Sequence, residues 1–247
     1  IGLNDNILRG IYSYGFERPS PIQRIAIKPL KEGHDIVIQS HSGTGKTATF
    51  SIGILAQIEE DKKETQAIVV CNTRELAVQT MNVMNRLSDF TKITQKLCIG
   101  GDMQNKFMSS EISDHIIIGT PGRLCDLLNK GMIKSESIKT IVIDEADDVL
   151  SIGFRKQVKR IFSCLPKETQ VALVSATIPQ DMENLFEILL RPDFISILIK
   201  DDQLTLDGID QYYIDLDEQY KQDAIIDIYQ FISVGQGIIY CNKKNRA

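Results

Sequence analysis

Several patterns that would assign a protein class are missing from this chain of 247 residues. No apolar run approaches the roughly 20 residues that cross a bilayer as a helix. The five cysteines are odd in number and far apart, and neither they nor the three histidines form a cluster with zinc spacing. The sequence therefore predicts no membrane association, no zinc site, and buried free thiols in a reducing compartment.

A large excess of charge is also missing, because the formal net charge at pH 7 is only −5. This argues against a protein that binds nucleic acid over its whole surface. It leaves room for a local groove, since a few well-placed donors are enough to hold phosphates. The apolar content of 43% is sufficient for a full globular core.

What the chain does have is a regular alternation of strand-like and helix-like segments. Segments 74–90 and 181–190 repeat apolar residues at helical spacing, and Ser20 followed by Pro21 predicts another helix start. Short runs rich in Ile and Val predict strands that are buried on both faces. The predicted fold class is α/β, a parallel sheet with flanking crossover helices. The predicted strands are 35–39, 66–71, 96–100, 115–119, 140–145, 170–176 and 194–199.

A polar segment at 200–208 ends in Gly and predicts a linker. Residues 1–199 before it predict one complete α/β domain. A new unit follows over 209–247, with a strand at 209–216, a helix at 220–232 and a strand at 237–241. This pattern predicts the beginning of a second domain.

The segment "SHSGTGKTATF" at 40–50 predicts a phosphate-binding loop. Backbone N–H groups in a Gly-rich turn form an anion cradle, and the following helix adds partial positive charge. Lys46 can reach the β- and γ-phosphates, and the Thr47 hydroxyl can ligate Mg²⁺. A Gly-rich turn without a nucleotide is the alternative, but the strand before it and the helix after it favour a nucleotide. The predicted cradle consists of Ser42, Gly43, Thr44, Gly45, Lys46 and Thr47.

The segment "IVIDEAD" at 141–147 predicts the second part of the same site. A buried strand that ends in Asp144 delivers a carboxylate to the edge of the sheet where ligands bind. Asp144 can hold Mg²⁺ through water, and Glu145 can orient or deprotonate the attacking water. An acidic helix start is the alternative, and it weakens once a phosphate loop lies in the same domain.

Together these motifs resemble those of the DEAD-box RNA helicases, whose signature is "DEAD", here at 144–147. The order of the motifs is also that of the family from residue 15 to residue 177. The resemblance implies an N-terminal RecA-like ATP-binding helicase domain over 1–199 and the truncated beginning of a C-terminal RecA-like helicase domain over 209–247. The further matching motifs are "GFERPSPIQ" (15–23), "SGTGKT" (42–47), "NTRELA" (72–77), "GG" (100–101), "TPGR" (120–123) and "SAT" (175–177).

The resemblance implies roles for two residues of the first motif. Gln23 would read the adenine edge through hydrogen bonds, and Phe16 would stack on the adenine ring. A core aromatic beside Tyr14 is the alternative for Phe16, and a surface glutamine is the alternative for Gln23.

The resemblance also implies an RNA interface that contacts the sugar–phosphate backbone without reading sequence. Its residues would be Thr73, Arg74, Gly101, Thr120, Gly122 and Arg123. Helix capping is an alternative role for Thr73 and Thr120, and both roles can coexist at a helix N-terminus. Ser175 and Thr177 would link the nucleotide site to RNA through Asp147, with turn residues after a strand as the alternative.

Two residues depart from the expected patterns. Ser40 stands where the strict phosphate-loop pattern has Gly, and Asn72 stands where the helicase family usually has Pro, which predicts a looser loop. The chain ends soon after "IIYCNKK", which resembles the opening of a motif in the second domain. We therefore expect it to hold half of a two-domain active site, whose other half supplies arginines to the γ-phosphate.

The expected function is that of an ATP-dependent RNA helicase that uses ATP and Mg²⁺. The resemblance is greatest to the translation-initiation members and their exon-junction-complex relative. It implies protein partners from one of those complexes and a cytoplasmic location, or a nuclear one for the junction relative. Another P-loop NTPase, such as a DNA translocase, is the first alternative, and the motifs at 15–23 and 120–123 argue against it. An ATP-gated RNA clamp is the second alternative, and the sequence leaves it open.

Overall fold

The computed structural model describes residues 2–41, 43–101, 111–150, 153–198, 210, 212–233 and 235–242. The chain divides into two compact units, Ile1–Leu204 and Thr205–Ala247. The predicted linker at 200–208 lies outside the described residues. The predicted boundaries of the two domains, 1–199 and 209–247, therefore stay a prediction.

The first unit contains one sheet of seven parallel strands in the order β3-β4-β2-β5-β6-β1-β7. The predicted parallel α/β class is confirmed, and each of the seven predicted strands is present with slightly different ends. The strands are β1 (Ile36–Gln39), β2 (Ala67–Val70), β3 (Gln95–Cys98), β4 (Ile116–Gly119), β5 (Thr140–Asp144), β6 (Gln170–Ser175) and β7 (Ile195–Leu198).

Helices connect the strands, and several of them start where the sequence signals it. Ser20 caps α2, since its Oγ accepts from the N–H of Gln23 while its own N–H donates to Gln23 Oε1, and Pro21 follows at the first helical position. No helix in the described ranges has the length and apolar character needed to cross a bilayer. The helices of this unit are α1 (Asp5–Ser13), α2 (Pro21–Lys31), α3 (Lys46–Leu55), α4 (Arg74–Ser88), α5 (Pro121–Asn129), α6 (Ala146–Val149), α7 (Arg155–Cys164) and α8 (Gln180–Leu189).

The core lies on both faces of the sheet. Successive side chains of a strand point to opposite faces, so Ile36 and Ile38 join one apolar cluster while Val37 joins the other. The inner strands β2, β4, β5 and β6 are buried along their whole length, whereas the outer strands β3 and β7 are partly exposed. Because helices cover both faces, the carboxyl edge of the sheet is the place where a ligand can reach it.

The thiols are free, as predicted, but they are not all buried. Cys71, Cys98 and Cys125 are buried, and burial raises the pKa of Cys71 to about 12 and that of Cys98 to about 11. Cys164 is only half-buried, and Cys241 is exposed. The prediction of burial is therefore wrong for Cys241, which lies in the second unit, where the described residues form no sheet.

The second unit contains, among its described residues, a 3₁₀ turn (Glu218–Tyr220) and helix α9 (Lys221–Phe231). The helix predicted at 220–232 is confirmed. The strands predicted at 209–216 and 237–241 are wrong for the residues described there, which show no strand pairing. An extended segment becomes a strand only beside a neighbour that takes its hydrogen bonds and covers its apolar face. In this unit Tyr213 and Tyr240 are 93% and 90% exposed.

Candidate functional site

The loop between β1 and α3 has the backbone expected of a phosphate cradle. Gly43 and Gly45 have φ values of +84° and +91°, a region that residues with a Cβ rarely adopt. Helix α3 begins at Lys46, so its unbonded N–H groups lie at the end of this loop. The predicted cradle residue Ser42 lies outside the described residues.

Lys46 is buried at the start of α3, with only 7% of its surface exposed. Its Nζ donates to the backbone carbonyl of Ser40 at 2.6 Å. The Ser40 hydroxyl lies 2.5 Å from Thr44 Oγ1, which donates to the carbonyl of His41 at 2.8 Å. Ser40, which stands where the strict pattern has Gly, therefore helps to fix the loop conformation through hydrogen bonds inside the loop.

Gln23 lies against the phosphate loop and not on the surface. It is only 4% exposed, so the alternative of a surface glutamine is wrong. A Cβ added to Gly45 would lie 2.9 Å from Gln23 Nε2, which shows how closely the two segments approach. The Ser20 hydroxyl also donates to the carbonyl of Thr44 at 3.0 Å. Contact with adenine remains a prediction for Gln23.

Phe16 stacks on Tyr14, with ring centroids 4.6 Å apart and an interplanar angle of 29°. Both rings are half-buried against the core, and the guanidinium of Arg86 lies 4.5 Å from the centre of the Tyr14 ring. This geometry agrees with the alternative of a core aromatic beside Tyr14. Stacking of Phe16 on adenine stays a prediction.

Asp144 ends β5 at the carboxyl edge and is only 5% exposed. Burial, followed by the charge of Glu145, raises the pKa of Asp144 to about 6. The positive charge of Lys46 acts on Asp144 in the opposite direction, which places the phosphate-loop lysine and this carboxylate in one electrostatic environment.

Glu145 has a strained backbone, with φ 48° and ψ 58°. It is the one non-glycine residue with positive φ in the described ranges, and such residues cluster at functional sites. Its N–H donates to Asp144 Oδ1 at 3.1 Å, and it forms the N-cap of the one-turn helix α6. The chain thus turns sharply at the sheet edge and leaves the Glu145 side chain half-buried there.

The predicted magnesium ligands are Thr47 and Asp144. A hydroxyl and a carboxylate are hard oxygen donors, and Mg²⁺ commonly uses one or two such groups together with waters and substrate phosphates. The buried Asp144 carboxylate lies next to the charge of Glu145, so a nearby divalent cation would favour its ionised form. These donors fit Mg²⁺. The described residues contain no cluster of three or more His, Cys, Asp or Glu side chains that could hold a metal by itself.

Asp147, Ser175 and Thr177 form a closed hydrogen-bonded network between α6 and the end of β6. The Asp147 N–H donates to Ser175 Oγ at 3.4 Å, Ser175 Oγ donates to the Thr177 carbonyl at 2.7 Å, and Thr177 Oγ1 donates to Asp147 Oδ2 at 2.5 Å. Burial alone would raise the pKa of Asp147, but the hydrogen bonds that its carboxylate accepts, foremost the one from Thr177, outweigh burial and lower the pKa. Ser175 and Thr177 are therefore more than turn residues after a strand, because both make hydrogen bonds with Asp147 of the acidic segment.

The predicted RNA-contacting residues come together around one groove of about 740 Å³ at the carboxyl edge. Gly101 joins them through Arg74, because a Cβ on Gly101 would lie 2.8 Å from Arg74 Nη1. Its φ of +80° also requires glycine. The groove is lined by Asn72, Thr73, Arg74, Glu75, Gly100, Thr120, Gly122, Arg123, Asp126 and Phe154.

The capping alternative is confirmed for one threonine and wrong for the other. Thr73 Oγ1 accepts from the N–H of Leu76 at 3.2 Å and caps α4. Thr120 occupies the N-cap position of α5, but its side chain makes no capping hydrogen bond. Arg123 donates from Nη1 to Asp126 Oδ2 at 2.8 Å, which orients its guanidinium. Lys130 and then Arg123 lower the pKa of Asp126.

Sequence reasoning missed two tertiary contacts of this edge. One is the bond from Ser20 to the phosphate loop, although Ser20 itself is recognisable as a helix cap. The other joins Asn72 Nδ2 to Asp148 Oδ2 at 2.7 Å. This bond restrains the loop at Asn72, which the sequence predicts to be looser because Asn72 stands where the family usually has Pro. No local signal could reveal either pair, since the partners are 24 and 76 residues apart in the chain.

Comparison with known sequences gives one family model and a group of relatives. A model described as "DEAD/DEAH box helicase" matches residues 20–185. The chain is 43% identical over 248 residues to "ATP-dependent RNA helicase eIF4A" of Pyricularia oryzae and 44% identical over 249 residues to the protein of the same name in Scheffersomyces stipitis. Each match covers 100% of this chain and 62% of the relative, so the chain spans less than two thirds of their length.

Comparison with solved structures gives neighbours of the same kind. S. cerevisiae Dbp5 bound to RNA and ADP BeF3 matches with a TM-score of 0.88 and 33% identity, over 99% of this chain and 63% of that one. A DEAD box protein from the hyperthermophile Methanococcus jannaschii matches with a TM-score of 0.75 and 31% identity, over 93% of this chain and 62% of that one.

Proposed function

The chain belongs to the DEAD/DEAH box helicase family, and from that premise we propose that it acts in an ATP-dependent RNA helicase that remodels or locally unwinds RNA. The observation that supports this most is that one edge of one sheet carries both halves of the necessary site. Lys46 and Asp144 lie in the nucleotide half, and Arg74 and Arg123 lie in the groove. The network of Asp147, Ser175 and Thr177 lies between β6 and the helix that follows the acidic residues.

In the nucleotide half, each side chain has a role that its position supports. Lys46 neutralises the β- and γ-phosphates from the start of α3, where N–H groups also face the anion. Gln23 holds the adenine edge, because it is already fixed against the phosphate loop. Glu145 orients the attacking water and accepts its proton. Thr47 and Asp144 would hold Mg²⁺, which neutralises charge that develops on the phosphates.

In the groove, the exposed Arg74, the half-buried Arg123 and backbone groups hold the RNA strand. Arg74 and Arg123 contact phosphates, and Gly101 and Gly122 let the RNA backbone approach closely. These contacts carry no base information, so we expect little dependence on RNA sequence. A preference for RNA over DNA would come from contacts with 2′-hydroxyls.

The finer assignment follows the names of the relatives. Because proteins called ATP-dependent RNA helicase eIF4A match the whole chain, we propose a role in translation initiation and a cytoplasmic location. We further propose ATP as the nucleotide and protein partners within the initiation machinery. A structural neighbour bound to Nup159 and Gle1 supports the idea that this architecture serves assemblies with other proteins.

The first test is ATP turnover by the full-length protein with and without nucleic acid. We expect single-stranded RNA to stimulate phosphate release several-fold and single-stranded DNA of the same sequence to have little effect. Equal stimulation by DNA would contradict the proposal and favour a DNA translocase.

The second test uses Glu145→Gln, which keeps the side-chain shape and removes the carboxylate. We expect ATP turnover to fall by about 100-fold or more, because general base catalysis is typically worth that much. ATP should still bind, and RNA should be held longer since closure survives while hydrolysis stalls. Glu168→Gln, an exposed glutamate on the loop before β6, is the matched control and should behave as the wild type. Short-duplex separation by the wild type then distinguishes an unwinder from an ATP-gated clamp.

A further inference from the structure

One hydrogen bond crosses from the RNA groove to the acidic segment. Asn72 follows β2 and directly precedes Thr73, the cap of α4 at the groove. Its Nδ2 donates to Asp148 Oδ2 at 2.7 Å, and Asp148 belongs to α6, the helix that begins after Glu145. The two residues are 76 positions apart, and the bond joins the loop after β2 to the helix that follows the neighbouring strand β5.

The orientation of the Asn72 amide follows from charge. A carboxylate only accepts hydrogen bonds, so the amide nitrogen must face Asp148. The Asn72 Oδ1 atom then points inward, where it is buried and has no hydrogen-bond partner in the described part of the chain. A buried acceptor without a partner is unfavourable and offsets much of what the bond to Asp148 contributes. The net contribution of the Asn72–Asp148 pair to the stability of the fold is therefore small, and stability alone does not explain the pair.

The bond continues into the network at the end of β6. The Asp148 N–H donates to Asp147 Oδ1 at 3.1 Å, and Asp147 Oδ2 accepts from Thr177 Oγ1. A continuous series of hydrogen bonds thus runs from the loop that leads into α4 to the segment that carries Glu145.

We propose that Asn72 is a positioning residue that couples RNA in the groove to the nucleotide pocket through Asp148. This inference rests on the proposed function. RNA bound to Thr73 and Arg74 restrains the loop in which Asn72 lies. Asp148 transmits that restraint to α6, which is a single turn of four residues. Because Glu145 is the N-cap of α6, its placement then depends on whether the groove is filled.

The test exchanges the two members of the pair in the full-length protein. Asn72→Asp places two carboxylates in contact, and they repel each other. The double variant Asn72→Asp, Asp148→Asn restores one amide–carboxylate bond with donor and acceptor reversed and keeps the net charge. Asp148→Asn alone keeps a neutral amide–amide bond and should have a small effect.

The measured quantity is the factor by which saturating poly-U tightens the binding of a non-hydrolysable ATP analogue. Such a factor is a coupling between two binding sites and is reciprocal. We expect Asn72→Asp to reduce it by about fivefold, as is typical for residues that modulate coupling, and the double variant to restore it to within about twofold. Analogue affinity without RNA should stay near the wild-type value in all three variants. Because Asn72 lines the groove, Asn72→Asp adds a negative charge there and should weaken poly-U binding, so poly-U is raised to saturation for each variant before the factor is measured.

The outcomes separate this inference from the proposed function. If poly-U does not tighten analogue binding in the wild type, the proposed function fails first. If it does and Asn72→Asp keeps the wild-type factor, the pair carries no coupling and the inference is wrong. If Asn72→Asp loses coupling and the double variant does not regain it, Asn72 acts alone and not through Asp148, which also overturns the inference.

Discussion

The two halves of the candidate site are built in opposite ways, although they share one edge of the sheet. In the nucleotide half, Lys46, Asp144 and Gln23 are almost completely buried. In the RNA half, Thr73, Arg74 and Gly122 are exposed, and the groove between them is open. The backbone differs too, since the nucleotide half holds Glu145 at a positive φ that only glycine adopts easily.

This difference corresponds to two kinds of task. Charges in a buried pocket act on a phosphate with little screening, and they are already oriented before the reaction begins. Exposed cations on a groove attract a phosphate backbone of any sequence, and salt weakens that attraction. Substitutions in the nucleotide half should therefore change chemistry or stability strongly, whereas substitutions in the groove should change RNA affinity by smaller and salt-dependent amounts.

The largest expected effect is that of Lys46→Ala on ATP turnover. This change removes the cation that we propose faces the β- and γ-phosphates, and the loss of one such preorganised group typically lowers turnover by about 100-fold or more. Folding should be little affected, because within the described ranges the side chain makes one hydrogen bond, to the carbonyl of Ser40. RNA-stimulated phosphate release and a thermal melt measure both quantities.

The matched control is Lys63→Ala, which removes an exposed lysine from the loop before β2. It should leave ATP turnover unchanged. If Lys46→Ala retained most of its ATP turnover, the phosphate loop would not take part in hydrolysis. The proposed difference between the two halves of the site would then be wrong.

An intermediate effect is expected for Asp144→Asn on stability. A folded-state pKa of about 6, raised from 3.8, means that ionised Asp144 costs the fold about 2–3 kcal/mol at pH 7. The amide removes that cost, so the variant should be more stable at neutral pH while losing ATP turnover. Its Oδ1 can still accept from the N–H of Glu145.

The difference in stability between Asp144→Asn and the wild type should depend on pH. Wild-type Asp144 becomes protonated in the folded state as the pH falls through about 6, so its cost disappears between about pH 6 and pH 4. The advantage of Asp144→Asn should therefore be largest near pH 7 and vanish by about pH 4. Urea unfolding of both proteins at several pH values measures it, with the exposed Asp61→Asn as the control. A pH-independent difference would show that the Asp144 carboxyl is not held in an unfavourable environment.

The smallest expected effect is that of Arg74→Ala on RNA binding. Loss of one phosphate contact should weaken binding a few-fold and reduce the slope of log K against log salt by about 1. The loss should be nearly equal for poly-U and poly-A, because backbone contacts do not read bases. Arg160→Ala on the exposed face of α7 is the control and should leave the slope unchanged. A loss confined to one RNA sequence would show that the groove reads bases.

Much of this protein follows from local sequence pattern alone. Short apolar runs predict all seven strands of the sheet, and the inner strands are rich in Ile and Val because β-branched residues suit strands that are buried on both faces. Ser20 with Pro21 predicts a helix start, and Gly43 and Gly45 predict a turn with positive φ, because these preferences act within a few residues of the chain. The acidic residues at the end of β5 are placed by the same rule, since a parallel strand delivers its last side chains to the ligand-binding edge.

Only the tertiary structure decided the features that depend on partners far away in the chain. The strands predicted at 209–216 and 237–241 have the right pattern, but the residues described there lack a neighbour to pair with. The raised pKa of Asp144 comes from burial, and the contacts of Ser20 with Thr44 and of Asn72 with Asp148 join segments that are distant in sequence. Local preferences select the elements, but burial, pairing and charge proximity arise only when those elements pack together, because each is a property of two segments and not of one.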